Sequence, residues 1–221
     1  NIKDRDICNL SRLPMAIKTN PCFLTATQLL GPGELRVQDS ALYAHYNSYN
    51  PKTLYDIYGT VPKLKDHSFD CIFLPWIHNY PLAQLGDVAF IRRDLDFIKK
   101  QIKKIQKLIA SIKENGYNPD LFLDRKGGNI TGYFIKIGNI KKFYVVSGNH
   151  RVSVLSAMFP DAPIPVALER KEFTKPSELK NRTAEFLEVY DSEGVSCWPS
   201  VKSGLLTADE AISIMRVYLN A

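Results

Sequence analysis

A run of isoleucines constrains this chain more than any other feature. Ile98, Ile102, Ile105, Ile109 and Ile112 recur at spacings of four, three, four and three, which lines them along one stripe of an α-helix spanning residues 95–115. Lys100, Lys104, Lys107 and Ser111 fall on another face, and Gly116 stands where a left-handed residue ends a helix. An amphipathic helix this long is stable only when its apolar stripe is buried against other elements. The chain after it reads as strands: residues 120–123, then a polar Gly-rich turn at 125–129, then 130–137 and 143–146 joined through Gly138-Asn139. Residues 88–91 read as a strand before the helix, and 163–168 as an edge strand, because its prolines cannot donate to a ladder. The expectation is an α+β fold with a small mixed sheet and flanking helices.

The flanks carry different signals. Residues 1–86 are broken by Asn20-Pro21, Gly31-Pro32-Gly33, Asn50-Pro51 and Val61-Pro62, so only short elements are expected there, among them helices at 40–49 and 51–58. Their tyrosines, Tyr43, Tyr46, Tyr49, Tyr55 and Tyr58, either line a pocket or pack this irregular aromatic extension onto the rest, and packing is the favoured reading. Residues 171–221 read as a helical segment, with helices near 176–189 and at 208–219, the latter opened by a capping box at Thr207 and Glu210. The division expected is an extension at 1–86, a candidate substrate cap, then a domain at 87–170 and the helical segment after it.

With 221 residues, 45% of them hydrophobic, the chain can bury a core, and disordered, collagenous and low-complexity classes are excluded. The 29 basic against 23 acidic residues give +6, a field that suits phosphate-bearing partners. Cys8, Cys22, Cys71 and Cys197 are scattered without a CxxC pair, so no metal site is expected, and the cytoplasm is the expected compartment. No apolar run approaches the ~20 residues of a membrane span.

Chemistry concentrates at Ser147-Gly148-Asn149-His150-Arg151, which stands between a strand and a short helix. A glycine turn at a helix N-terminus lets backbone N–H groups approach an anion. Arg151 adds a bidentate cation, His150 a donor or proton-transfer group, and Ser147 and Asn149 neutral hydrogen bonds. The same five residues also suit a plain helix cap with a solvated His and Arg.

The segment Tyr144-Val-Val-Ser-Gly-Asn-His-Arg-Val-Ser-Val-Leu-Ser-Ala157 resembles the G-x-(H/R)-R segment of the ParB/sulfiredoxin superfamily. The surrounding order is similar too: a K-x-x-x-L-x-x-S/T-I helix at 104–112, Gly116, strands, the glycine turn, a small-residue helix and the strand Ile164-Pro165-Val166. The resemblance covers about residues 88–170 and implies a nucleotide site for ATP or CTP, with Mg²⁺. Gly148, His150 and Arg151 would contact the phosphates, with Ser147 and Asn149 beside them, and Lys104, Lys107 and Ser111 would face them from the long helix. Sulfiredoxin has its reactive cysteine where this chain has Asn149, which disfavours sulfinic acid reduction. The arginine-rich ParB turn is absent as well.

The function expected is a kinase-like phosphotransferase that moves phosphate from a nucleoside triphosphate to a small hydroxylated acceptor, with sugars or glycans among them. His150, Asp94 and Asp96 are the candidate catalytic groups. Tyr43, His45, Tyr46, Trp76 and His78 are candidates for a cap that selects the acceptor. The alternative is a ParB-like nucleic-acid-binding protein or a nucleotide switch.

Overall fold

The computed structural model describes residues 1–9, 13–67, 71–72, 74–77, 80–81, 93–119, 129–168 and 189–221. Its elements in the first part of the chain are β1 (Ile7–Asn9), α1 (Pro21–Leu30), α2 (Ala41–Ser48), α3 (Tyr55–Tyr58) and a small antiparallel pair, β2 (Cys71–Ile72) and β3 (Tyr80–Pro81). They are followed by α4 (Leu95–Asn115), β4 (Thr131–Ile137), β5 (Ile140–Ser147), α5 (Asn149–Met158), β6 (Ala167–Leu168), β7 (Val189–Asp191), α6 (Pro199–Lys202) and α7 (Ala208–Asn220). The architecture is α+β.

Helix α4 forms as its periodicity requires. Asp94 caps it, its carboxylate accepting from the Phe97 N–H at 2.7 Å, and Gly116 ends it at φ 69°. All five isoleucines of the stripe are buried. Strands β4 and β5 make an antiparallel hairpin, with Ile137 opposite Ile140 across a left-handed Gly138. Near the other end the ladder is irregular at Thr131/Gly132, and a Cβ on Gly132 would lie 2.0 Å from the Tyr144 carbonyl oxygen, so only glycine fits. Strand β1 adds in parallel to β5, while β6 and β7 both run parallel to β4 at successive stretches, which makes the sheet mixed.

One sheet face is aromatic. Tyr133 and Tyr144 are paired in register and their rings stack at 4.9 Å, with Tyr190 at 4.8 Å from Tyr133. Tyr218 of α7 and Trp76 cover this layer, and Trp76 also meets Trp198 edge to face. The buried Trp76 indole N–H donates to the Tyr133 hydroxyl at 3.0 Å, which satisfies its one polar atom. Ser200 holds the same segment by donating its hydroxyl to the Pro75 carbonyl. Phe143 and Val145 alternate to the opposite face and are also buried. Helices α1, α4 and α5 pack against one another.

Several elements depart from the sequence pattern. Asn20-Pro21 reads as a turn but starts α1: the Asn20 side chain accepts from the Cys22 N–H, and Pro21 takes the first helical position. Only Tyr55–Tyr58 of the helix expected at 51–58 is helical. The Asp56 carboxylate instead accepts from the N–H groups of Lys52 and Thr53, and the Leu54 N–H goes to the His67 carbonyl. The short helix expected after Arg151 starts already at Asn149, and the edge strand at 163–168 reduces to an Ile164 bridge with Ile2 and the two residues of β6. Of the helix expected near 176–189 only Val189 is described, and it opens β7. The strands expected at 88–91 and 120–123 lie outside the described residues. Helix α7 has the expected capping box, and Tyr46 and Tyr58 pack into the core.

Burial also sets an alkaline limit. It pushes the Cys22 thiol from 9.0 up to about 12, and the Tyr49 phenol, beside Asp56, from 10.0 up to about 12. Below about pH 9 both groups are protonated whether the chain is folded or not. Above it the unfolded chain loses protons that the folded chain keeps, so stability falls as pH rises from about 9 toward 12. Urea unfolding at stepped pH checks this: a denaturation midpoint that does not fall across that window contradicts the burial of these groups. Ile105→Asp places an unpaired charge in a fully buried position and is expected to abolish the cooperative unfolding transition, read by circular dichroism.

Candidate functional site

Strand β5 delivers the chain to Gly148, which sits at φ 96° and ψ 20° as the N-cap of α5. A Cβ there would meet the Cα and Cγ1 of Ile130 at 3.0 Å, so glycine is required both by the left-handed backbone and by the close approach of the β4 entry. The helical ladder begins with the Val152 N–H donating to the Gly148 carbonyl at 2.9 Å. The amides of Asn149, His150 and Arg151 therefore point out of the helix end, where the helix dipole is positive.

Side chains gather around that end. The Arg151 guanidinium donates to the Asn129 carbonyl at 3.3 Å. Tyr117, the residue after the glycine that ends α4, comes within reach of the Arg151 charge and accepts a hydrogen bond from the Ile130 N–H. Burial raises its phenol pKa, while Arg151 and the Ile130 N–H act to lower it. Ser147 and His150 are half-buried at the same turn. The Oδ1 of Asn149 is buried with no hydrogen-bond partner, as are the hydroxyls of Ser153 and Ser156, one and two turns further along the same face of α5.

Ser147, Gly148, Asn149, His150 and Arg151 are thus contiguous around one helix end. The α4 residues are not brought to it by any described hydrogen bond. Lys104 is exposed and its charge acts on the Cys22 thiol of α1. Lys107 is exposed, and Ser111 is half-buried with its carbonyl accepting from the Asn115 side chain. Asp94 and Asp96 lie at the start of α4, about 30 Å along the helix from Tyr117. There Asp94 is the N-cap and Asp96 pairs with Lys99 at 3.2 Å. Of the candidate cap residues, Trp76 is core and His45 stacks on Tyr49 at 4.8 Å, while His78 lies outside the described residues. Tyr117 escapes sequence reading because nothing in Gly116-Tyr117 tells which loop the ring will meet.

The arrangement can bind an anion: the turn carries outward-pointing amides, a guanidinium and an imidazole within one pentapeptide at the N-terminus of α5. Among the described residues no group of three His, Cys, Asp or Glu side chains is placed to hold a metal ion, and no helix is long and apolar enough to cross a membrane. Comparisons with protein-family models, curated proteins and solved structures find no match to this chain.

Gly148→Ala is expected to destabilise the fold by about 1–3 kcal/mol. Gly59→Ala carries a similar φ of 66° but its Cβ meets nothing within 4 Å, so it should cost less. Equal losses in the two variants, measured by urea unfolding, would show that contact with Ile130 does not matter.

Proposed function

We propose that this protein is a nucleotide-dependent phosphotransferase of ParB/sulfiredoxin-like architecture. It passes the γ-phosphate of ATP, or of another triphosphate such as CTP, to a small hydroxylated acceptor, with sugar and glycan hydroxyls in the class. The carrying observation is the left-handed Gly148 at the β5–α5 junction, with Arg151 in the first turn of the helix that follows. Phosphates bound there would meet backbone N–H groups and the guanidinium, which is the charge neutralisation that phosphoryl transfer needs. The acceptor oxygen forms a bond to the γ-phosphorus while the bond from that phosphorus to the bridging oxygen breaks, and the nucleoside diphosphate leaves with the electron pair. His150, in its neutral form, takes the acceptor proton. Mg²⁺ would enter with the nucleotide on its own phosphates and waters. The cytoplasm supplies such nucleotides.

A second reading, a nucleotide switch with slow or no turnover, is favoured by the distance of Asp94 and Asp96 from the turn. It differs in needing no acceptor.

Thermal shifts with ATP, ADP, CTP, GTP and AMP, each with and without Mg²⁺, test the site. A ligand at about 100 times its Kd stabilises by about 2.7 kcal/mol. Stabilisation is expected with at least one triphosphate, and it should vanish in Arg151→Ala while the far-ultraviolet spectrum is unchanged. An undiminished shift in Arg151→Ala removes the phosphate assignment.

A further inference from the structure

Lys99, Lys100, Lys103, Lys104, Lys107 and Lys113 stand on α4, and all six are exposed. At about 100° per residue they fall within one half of the helix circumference, turned away from the buried isoleucines. No acidic residue stands between Lys99 and Lys113, and with Asp96 and Glu114 outside that run the helix is left at +4, compared with +6 for the whole chain. Lys99 and Lys103, Lys100 and Lys104, and Lys103 and Lys107 are four residues apart, while Lys100 and Lys103, and Lys104 and Lys107, are three apart. Each is a pair of like-charged neighbours on the helix surface, and each destabilises the helix. Folding gains nothing from the arrangement, because the isoleucines supply the buried face. An anionic surface laid against the lysines would offset the repulsion.

Size, spacing and residue type narrow that surface. From Lys99 to Lys113 the helix rises about 21 Å, which is longer than a single small anion. Five lysines fall within the first ~12 Å, and a gap of ~9 Å precedes the sixth. Phosphates held at fixed positions match so uneven a run poorly, whereas lipid headgroups diffuse laterally to wherever the cations lie. Lysine is a compact charge on a flexible stem and lacks the rigid fork with which arginine orients a phosphate. Gln106 is the one exposed neutral polar side chain between the lysines, so the face offers charge with little of the directed hydrogen bonding that a nucleic-acid backbone receives. A cluster of lysines on an amphipathic helix is the pattern that attracts anionic lipid. The apolar stripe of α4 is already committed to the core, so such a contact is electrostatic and reversible by salt.

We infer that the lysine face of α4 docks the protein onto an anionic bilayer surface, peripherally and without insertion. The inference rests on α4 alone and stands whether or not the turn at Gly148 binds a nucleotide.

The full chain is sedimented with vesicles of mixed phosphatidylcholine and phosphatidylserine, and with phosphatidylcholine alone, at about 0.1 M salt, where charges act over about 10 Å. It should pellet with the mixed vesicles and not with the neutral ones, and stay in solution at about 1 M salt, where that reach falls to about 3 Å. Each lysine near an anionic leaflet contributes about fivefold to partitioning. Lys99→Gln/Lys100→Gln/Lys103→Gln, with a melting temperature no lower than that of the wild type, should therefore partition about 100-fold less, and Lys113→Gln about fivefold less. Arg151→Ala should pellet as the wild type does. No pelleting with the mixed vesicles, equal pelleting with the neutral ones, undiminished partitioning in both lysine variants, or loss of pelleting in Arg151→Ala overturns the inference. So does release of the protein from the vesicles by a short DNA duplex at equal phosphate concentration, which would give the face to nucleic acid.

Discussion

The register of the β4–β5 hairpin is the constraint on which the rest depends. Gly138 turns the chain so that Ile137 faces Ile140, and the pairs as far as Gly132 opposite Val145 follow from that one. Tyr133 then falls opposite Tyr144, and their stacked rings form the floor on which Trp76, Tyr190 and Tyr218 pack. Side chains alternate with a period of two, so a slip of one residue would turn Tyr144 to the far face and Phe143 toward the tryptophan. The one-residue shift at Thr131, which sets it opposite Ser147, then brings Gly148 against Ile130 at the open end of the hairpin. One pairing pattern thus builds the aromatic core and places the helix end where the candidate chemistry lies.

The two glycines at the open end of that hairpin have different tolerances. At Gly132 a side chain would run into backbone, with the Tyr144 oxygen 2.0 Å from a modest Cβ, and nothing flexible can give way. At Gly148 the clash is milder but is joined by a backbone conformation that other residues reach at a cost. Folding therefore demands glycine at the site for reasons independent of any ligand. Arg151, whose guanidinium donates to the Asn129 carbonyl and lies near Tyr117, is the residue whose substitution tests the function most directly.

Much of this was legible in the residues, and the reasons differ by element. The isoleucine stripe, the Thr207–Glu210 box and the glycine turn are local codes, in which a few neighbours determine a helix, its start or a reversal. Strand β1 has no such code, because three residues become a strand only when β5 offers an edge. Helix α1 was hidden because Asn-Pro opens both turns and helices, and the residues after the proline decide between them. The same limit applies to Trp76, whose sequence neighbourhood suggests a pocket wall although its partners are Tyr133, Tyr144, Trp198 and Tyr218. Tyr117 and the carboxylates of Asp94 and Asp96 show it for the site: spacing along α4 is readable, but which end of the helix meets α5 is not.

The central claim is that the first turn of α5 receives the phosphates of a nucleotide. Amide ¹⁵N–¹H correlation spectra recorded while ATP is added with Mg²⁺ address it at the atoms concerned. The account predicts that the resonances of Gly148, Asn149, His150 and Arg151 shift progressively and saturate together. If those four amides stay in place while ATP binds elsewhere, or if no resonance moves at millimolar ATP or CTP, the account is contradicted.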